Sequence, residues 1–259
     1  MKLWNKGTDI DKKIEKFTVG DDYILDMKLV KYDCTASIAH AKMLSKNGIL
    51  NKIEYEKLKK GLNEIIMLNK KDKFVIKQSD EDCHTAIENF LTKKYGDVGK
   101  KIHTARSRND QVLTAMRLYE KSELMEIEKL ISFYEKALKK VINKYGKIQI
   151  PGYTHMQKAM PTTIAMWLGS FIDSNKDNLI LLDNVKNLLD KSPLGSAAGF
   201  GVPVLKIDKK FTAKEMGFSS VQENPMHCQL SRGKYEAQIL AFLSSVMFDL
   251  NKQIGRAHV

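Results

Sequence analysis

Residues 106–145 read RSRNDQVLTAMRLYEKSELMEIEKLISFYEKALKKVINKY, and their pattern decides the fold. Apolar residues recur at the spacing of an amphipathic helix. They are Val112, Met116, Leu118, Met125, Leu130, Phe133, Leu138, Val141 and Ile142. We therefore predict one helix from Arg106 or Ser107 to Tyr145, about 50–60 Å long at its usual rise. A helix of this length is typical of bundles shared between subunits.

Shorter stretches with the same period predict further helices on both sides of the long one. In chain order they cover residues 23–45, 53–68, 79–94, 161–189 and 225–251. Ser79 is the expected N-cap of the third, and Pro161 the first residue of the fourth, where its missing N–H costs nothing. Residues 1–20 show no such period, and we expect them to be irregular.

These helices predict an all-α fold in two parts. We expect residues 1–104 to form an N-terminal helical domain, and residues 105–259 to form part of a long-helix bundle. The loop at residues 96–101 marks the boundary. A glycine-containing loop at residues 195–201 lacks the Gly-Lys-Ser/Thr ending of a phosphate loop, so we expect no nucleotide site there.

Composition excludes several classes of protein. No run approaches the roughly 18–20 apolar residues of a membrane span, and the N-terminus has no apolar signal core. Three unclustered cysteines fit a reducing cytoplasm. The net charge of +12 comes from dispersed lysines without a basic block or interleaved aromatics. A general lysine bias or an anionic small substrate explains this charge, and we expect no nucleic-acid partner.

Arginine is scarce in this lysine-rich chain, which makes the start of the long helix unusual. Two of only five arginines, Arg106 and Arg108, lie two residues apart within the polar stretch 103–112. A guanidinium can hold a carboxylate with two parallel hydrogen bonds, which an ammonium cannot do. The stretch therefore indicates either a carboxylate-binding site or a helix start with solvated charges.

Polar residues also interrupt the apolar pattern at residues 79–85 and 151–158. A bundle can bring the ends of different helices to one rim, so the three polar stretches could form one site. His155 lies in a turn next to Gly152, where an imidazole can transfer protons. His84 and Glu88 share a helix face, either as a surface pair or in the site. The histidines and cysteines lack the spacing of a metal site, and we expect no metal.

The three polar stretches resemble argininosuccinate lyase, a family of the fumarase/aspartase superfamily. Residues 79–86 resemble its Ser-x-Glu-Asp-Ile-His-Thr-Ala, with Cys83 in place of Ile. Residues 103–112 match His-Thr-Gly-Arg-Ser-Arg-Asn-Asp-Gln-Val, with Ala105 in place of Gly. Residues 151–157 match Pro-Gly-Tyr-Thr-His-Leu-Gln. The resemblance extends to about Lys252.

The resemblance implies cleavage of argininosuccinate to arginine and fumarate by anti β-elimination, without a cofactor, in a cytoplasmic homotetramer. Ser107, Arg108 and Asn109 would hold the fumarate-side carboxylates. Thr154 would bind substrate, and His155 would be catalytic, either by transferring a proton directly or by polarising a partner. His84 and Gln157 lie in the matching blocks and complete the expected substrate-binding set.

Two departures from the family pattern limit what this chain is expected to do. The family's substrate-binding Ser after Glu-Lys-Phe has no clean counterpart in residues 15–22. Its catalytic-Ser loop, Gly-Ser-Ser-x-Met-Pro-x-Lys-x-Asn-Pro, does not occur in the sequence. Residues 254–259 match one reading frame of a common sequencing adapter. We therefore expect a truncated chain with a non-biological end, inactive and poorly soluble by itself.

Three other functions stay open at this point. The chain could belong to another fumarate-releasing lyase of the superfamily, acting on adenylosuccinate or malate. It could be a non-catalytic helical homologue, although His155 and Asn109 argue against that. A basic helical nucleic-acid binder is the third.

Overall fold

The structure, a computed structural model, describes residues 11–256, apart from the side chains of Lys12, Glu15, Lys16 and Arg256. The prediction about residues 254–259 therefore falls partly outside the described residues. The backbone contacts divide the chain into two compact units. The first comprises Met1–Glu120 and Asp190–Arg232, and the second Lys121–Leu189 and Gly233–Val259. The predicted boundary at residues 104/105 falls within the first unit and stays a prediction.

Six helices open the first unit. They are α1 (Lys12–Val19), α2 (Asp22–Leu25), α3 (Val30–Lys46), α4 (Lys52–Asn69), α5 (Cys83–Tyr95) and α6 (Asp97–Lys100). The prediction that residues 1–20 are irregular is wrong for α1, while residues 1–10 lie outside the described residues. The helix predicted over residues 23–45 is continuous only from Val30, as α3, and the one predicted over residues 53–68 is present as α4. The two helices pack against each other, and Asn51 caps α4 in a reciprocal pair with Glu54.

Apolar side chains of α3, α4 and α5 form the main core of this unit. Its fully buried members include Val30, Cys34, Met43, Leu44, Leu58, Leu62, Ile65 and Leu91. On α4, Leu58, Leu62 and Ile65 lie three or four residues apart and form one buried stripe along the helix. The core fixes how α3 and α5 pack, and both helices carry polar residues of the candidate site.

The start of α5 differs from the prediction. Residues Gln78–Asp80 form a 3-10 turn, and Glu81 follows in the left-handed region with φ +69°. A helix cannot continue through that conformation, so Ser79 is not its N-cap. The carboxylate of Asp82 caps the helix instead, accepting a hydrogen bond from the Thr85 N–H at 2.8 Å.

The long helix is present as α7 (Arg108–Tyr145), 38 residues in one uninterrupted element. Its start and end agree with the prediction within the usual uncertainty of helix boundaries. Residues up to Glu120 belong to the first unit, and those from Lys121 onwards to the second. Four residues of its predicted apolar side, Met125, Leu130, Phe133 and Val141, are exposed, with Phe133 at 72%.

A β-hairpin follows α7 where only a polar break was predicted. Strand β1 (Gln149–Thr154) pairs antiparallel with β2 (Gln157–Thr163), and α8 (Ile164–Leu189) comes directly after. Pro161 therefore lies in a strand, opposite Pro151, and not at a helix start. The hydroxyl of Thr163 accepts the Met166 N–H at 3.1 Å, so Thr163 supplies the helix-capping bond.

The remaining elements alternate between the units. The first contains β3 (Lys191–Ser192), α9 (Lys209–Glu215), β4 (Ser220–Val221) and α10 (Pro225–Leu230), with β3 and β4 parallel. The second ends with α11 (Lys234–Arg256). The single helix predicted over residues 225–251 is wrong, because the chain breaks between α10 and α11 at Gly233, whose φ is +77°.

Helices α7, α8 and α11 pack together in the second unit. Buried apolar residues lie at their contacts: Leu124, Ile131, Leu138, Leu168, Phe171, Ile172, Leu182, Val185, Leu189, Tyr235 and Phe242. The all-α prediction is confirmed, with two small two-stranded sheets as the exception. Within residues 11–256, no helix combines the length and apolarity needed to cross a membrane.

Candidate functional site

A buried ion pair between α3 and α5 underlies the polar stretch at the start of α7. The carboxylate of Asp33 lies 2.7 Å from Nδ1 of His84, and both side chains are almost fully buried. Burial favours the neutral forms, but the mutual charge and hydrogen bond outweigh it. The pKa of Asp33 is therefore lowered and that of His84 raised, so the pair is ionised.

Arg106 extends this pair into a buried cluster. Its Nη1 donates to the Ser37 hydroxyl at 2.8 Å, its Nη2 lies 3.6 Å from Asp33, and Ser37 donates to Asp33 at 3.0 Å. The guanidinium is fully buried. Arg106 was not among the predicted site residues, although the scarcity of arginine pointed to it. The cluster places the backbone of Arg106 directly before the predicted carboxylate-binding residues.

Asp33, Cys83 and His84 also place their potential ligand atoms within 4.8 Å of one another. Structural zinc sites use four protein ligands, and this group offers three. The Arg106 guanidinium beside Asp33 already supplies a positive charge, and Nδ1 of His84 is engaged by Asp33. Burial raises the pKa of the Cys83 thiol well above its usual value, which opposes formation of a thiolate ligand. The geometry favours an ion-pair cluster over a metal site.

His40 holds the backbone just before the same stretch. Its Nε2 donates to the Thr104 carbonyl oxygen at 2.8 Å. Burial, together with the charge of Arg106, lowers the pKa of His40 to about 3, so the ring is neutral at physiological pH. A neutral imidazole can be buried at little cost when its donor is used. His40 is thus part of the framework on which the stretch rests.

Ala105 adopts a backbone conformation that disfavours side chains. Its φ is +58°, in the left-handed region where a Cβ costs roughly 1–2 kcal/mol. The family pattern has Gly at this position, which adopts the conformation without that cost. The chain reverses here between Thr104 and Arg106, so the positive φ is required by the turn.

Replacing Ala105 by glycine is therefore expected to raise the free energy of unfolding by about 0.5–1 kcal/mol, after the extra chain entropy of glycine is subtracted. Urea unfolding of Ala105→Gly measures the change. Ala137→Gly is the control, because Ala137 is an exposed residue inside α7 and should lose about 1 kcal/mol. Destabilisation by both substitutions would contradict the strain at Ala105.

Arg108 is engaged by carboxylates of the chain itself. Its Nη1 lies 3.1 Å from Asp82 and 3.8 Å from Glu81, and its Nη2 donates to the Thr85 hydroxyl. Arg108 therefore links the start of α7 to the capped start of α5. The predicted partners Ser107 and Asn109 are half-buried beside it, and the Asn109 N–H donates to the Ser107 hydroxyl at 3.3 Å.

His103 and Glu88 complete the polar surroundings. Nδ1 of His103 lies 3.9 Å from the Glu88 carboxylate, so Glu88 faces His103, while the neighbouring His84 pairs with Asp33. Burial, followed by the charge of Arg106, lowers the pKa of His103. Burial raises the pKa of Glu88. Both shifts disfavour the charged form of the group.

A turn with an unusual backbone presents His155. Thr154 pairs with Gln157, leaving His155 and Met156 as a two-residue loop with φ +51° and +62°. Positive φ at both loop positions is typical of a type I′ turn, which favours Asn-Gly. Strained residues of this kind cluster at functional sites, where the position of a side chain matters more than stability. The strain therefore supports a functional role for His155.

The hairpin surface around His155 is open. Thr154, His155, Met156 and Gln157 are all exposed. An open pocket of about 620 Å³ lies beside them and is lined by Tyr153, His155, Met156 and Trp167, among others. The imidazole is thus accessible to a ligand within its own unit.

Comparison with known proteins decides the family. A family model described as "Lyase" matches residues 6–254. The chain belongs to this lyase family. This chain is 54% identical over 251 residues to an argininosuccinate lyase of Thermotoga neapolitana, covering 97% of this chain and 63% of the relative. An argininosuccinate lyase of Sorangium cellulosum is 40% identical, with 95% and 57% covered. The chain thus spans only about three fifths of these relatives.

Solved structures with low sequence identity share the fold of this lyase. An EDDS lyase in complex with formate has a TM-score of 0.81 at 21% identity, covering 97% of this chain and 49% of that one. A fumarate lyase:delta crystallin from Brucella melitensis bound to cobalt has a TM-score of 0.72 at 17% identity, covering 92% and 58%. These likenesses confirm the predicted fumarase/aspartase-like helical fold.

The predicted site residues of the lyase fall into two groups. Ser107, Arg108 and Asn109 lie together at the start of α7 in the first unit. The side chain of His84 belongs to the buried cluster, which holds this stretch in place. Thr154, His155 and Gln157 lie at the hairpin tip in the second unit and form a separate group. Their roles in binding and catalysis stay predictions.

Proposed function

We propose that this lyase, in its full-length form, cleaves argininosuccinate to arginine and fumarate by anti β-elimination, in arginine biosynthesis. The observation that carries the proposal is the 54% identity to an argininosuccinate lyase over 97% of this chain. The polar stretch at the start of α7 supports it, because carboxylate-binding groups there rest on a buried cluster. Pre-organised donors of this kind suit a reaction that builds up negative charge on a carboxylate.

The fumarate half of the substrate is proposed to bind at Ser107 and Asn109. Both are half-buried at the start of α7, where backbone N–H groups favour anions. Arg108 supplies a guanidinium at the same place, where Asp82 and Thr85 hold it. We therefore propose that the guanidinium of Arg108 supplies a positive charge at the site. Its remaining N–H groups would bind a carboxylate of the substrate directly.

His155 is proposed as the catalytic histidine, with Thr154 and Gln157 binding substrate beside it. The elimination needs a base for the proton next to a carboxylate and an acid for the departing guanidinium nitrogen. An exposed imidazole at the tip of a turn can act directly or through a partner. His84 has a supporting role, because its Nδ1 is committed to Asp33 and its side chain is buried.

A cytoplasmic homotetramer is the proposed working form. The exposed apolar residues Met125, Leu130 and Phe133 on α7 support association, because helices shared between subunits leave such faces open in one chain. Assembly from several subunits would also bring the two groups of site residues to one substrate. All three cysteines are free and buried, which agrees with a reducing compartment.

Fumarate release by the full-length enzyme tests the proposal. We expect release from argininosuccinate, and no release from adenylosuccinate or malate at the same enzyme concentration. The reverse preference would assign the chain to another branch of the superfamily. Absence of fumarate from all three substrates, with the protein folded, would favour a non-catalytic homologue.

A further inference from the structure

One fully buried carboxylate joins the start of α7 to a distant loop. Asp110 accepts the Ser107 N–H on one oxygen at 2.9 Å. Its other oxygen accepts the N–H groups of Gly195 and Ala197 at 3.0 and 3.1 Å. Three backbone donors thus converge on a side chain that is 0% exposed. All of these residues belong to the first unit.

The loop at residues 193–201 contains four residues in the left-handed region of backbone conformation. Gly195, Gly199 and Gly201 have positive φ values, and so does Ala197 at +50°. The Ala197 conformation carries the cost of a Cβ in the left-handed region. A charge-assisted bond to the Ala197 N–H can offset that cost, since hydrogen bonds to carboxylates are stronger than neutral ones. The carboxylate therefore stabilises the strained part of the loop.

Helix α10 and the turn after it hold the same assembly from a second side. Nε2 of Gln229 lies 3.3 Å from both the Ser196 hydroxyl and the Ala197 carbonyl oxygen. Arg232 donates to the Asn109 carbonyl oxygen at 3.3 Å. Residues 107–109, the 193–201 loop and residues 229–232 are therefore connected by hydrogen bonds around Asp110.

We propose that Asp110 is a positioning residue of the carboxylate site, and that the 193–201 loop is a structural wall of that site. The inference rests on the proposed function, since it concerns the same residues Ser107 and Asn109. Asp110 is engaged on both oxygens and does not contact the substrate. It fixes the backbone of Ser107 relative to the loop, so the substrate-binding donors keep one geometry. Small displacements of such groups are costly to binding and rate.

Asp110→Asn in the full-length enzyme tests the inference. The amide keeps the size of the side chain but turns an NH2 group towards backbone donors, losing bonds on one side. We expect the inhibition constant of fumarate to rise at least about tenfold. Amide hydrogen exchange at residues 195 and 197 should accelerate as well. Binding and exchange are both measured well below the melting temperature of the variant.

Asp208→Asn is the matched control, because Asp208 also accepts a backbone N–H, that of Phe211 at 3.0 Å, at the start of α9. It should lower thermal stability without changing fumarate inhibition. Gln229→Leu loosens the same loop from the other side and replaces Asp110→Asn if that variant does not fold. We expect it to weaken fumarate inhibition too.

The outcomes separate the inference from the proposed function. If folded Asp110→Asn, or Gln229→Leu in its place, binds fumarate as wild type does, the positioning role is overturned. If both Asp110→Asn and Asp208→Asn weaken inhibition equally, the effect is general destabilisation and the inference is again overturned. If the wild-type enzyme itself does not bind fumarate, the proposed function fails, while the exchange rates at residues 195 and 197 still report on the anchor.

Discussion

Replacing Asp33 by alanine is expected to lower the free energy of unfolding by about 3–5 kcal/mol. The substitution leaves His84 without its partner, and it leaves the Arg106 guanidinium buried beside an uncharged methyl group. Removing one member of a buried charge cluster costs more than the cluster contributes, because the remaining charges stay desolvated. Urea unfolding of the purified variant measures the change.

Two variants show whether the loss comes from the cluster. Asp97→Ala removes a fully exposed carboxylate paired with Lys100 and should change stability little. The double variant Asp33→Ala/Arg106→Met should lose less than the sum of the two single variants, because the second change removes the stranded charge. Strict additivity of the two changes would contradict coupling between Asp33 and Arg106.

The same pair makes stability depend on pH in a defined window. Burial opposes both charges, yet the ion pair leaves the pKa of Asp33 lowered and that of His84 raised. The contribution of Asp33 is present above about pH 4 and lost as the pH falls through its lowered pKa. The contribution of His84 to stability is complete below about pH 6.5 and is lost as the pH rises through its raised pKa. Stabilisation by the pair is greatest between these limits, and Asp33→Ala should flatten the profile.

His155→Asn is expected to reduce kcat/KM of the full-length enzyme by about 10²–10⁴-fold, the usual contribution of a general acid or base. Asparagine suits this test, because it tolerates the positive φ of the turn better than other residues with a Cβ. The hairpin should therefore persist, and the melting temperature should stay at or above that of wild type. Fumarate release under subsaturating argininosuccinate measures the loss.

His227→Asn is the control for the loss of an exposed imidazole. His227 lies in α10, outside the predicted site, so kcat/KM should stay at the wild-type value. A loss of less than tenfold in His155→Asn would exclude an essential proton-transfer role. Equal losses in both variants would indicate an effect unrelated to the turn.

The helices with one apolar face were predictable from sequence, whereas their ends depended on backbone conformation. Apolar spacing located α4 and α7 within a few residues, since burial of one stripe determines both. The start predicted for α5 was wrong, because the presence of Ser79 does not show that Glu81 adopts a positive φ. The break at Gly233 was missed because an isolated glycine inside a helical pattern can be tolerated or can end the helix.

The β-hairpin and the contacts of the buried cluster could not be predicted from the sequence, for a different reason. Residues 149–163 contain neither Asn-Gly nor clear alternation, so their pairing was not visible, and the His155–Met156 turn departs from the favoured residues. The sequence did point to residues 106–109, through arginine scarcity and the family resemblance. It could not show that Asp33 and Ser37, about seventy positions earlier, hold Arg106, since that contact depends on the packing of α3 against the segment just before α7.

The three buried thiols give the first unit an internal reporter of its own opening. Cys34, Cys83 and Cys228 all belong to that unit, and burial raises the pKa of each. A protonated, inaccessible thiol does not react with alkylating reagents, so labelling requires the surrounding packing to separate first. The alkylation rate of the unmodified protein therefore measures how often the first unit opens. Opening of the second unit, which has no cysteine, does not contribute to that rate.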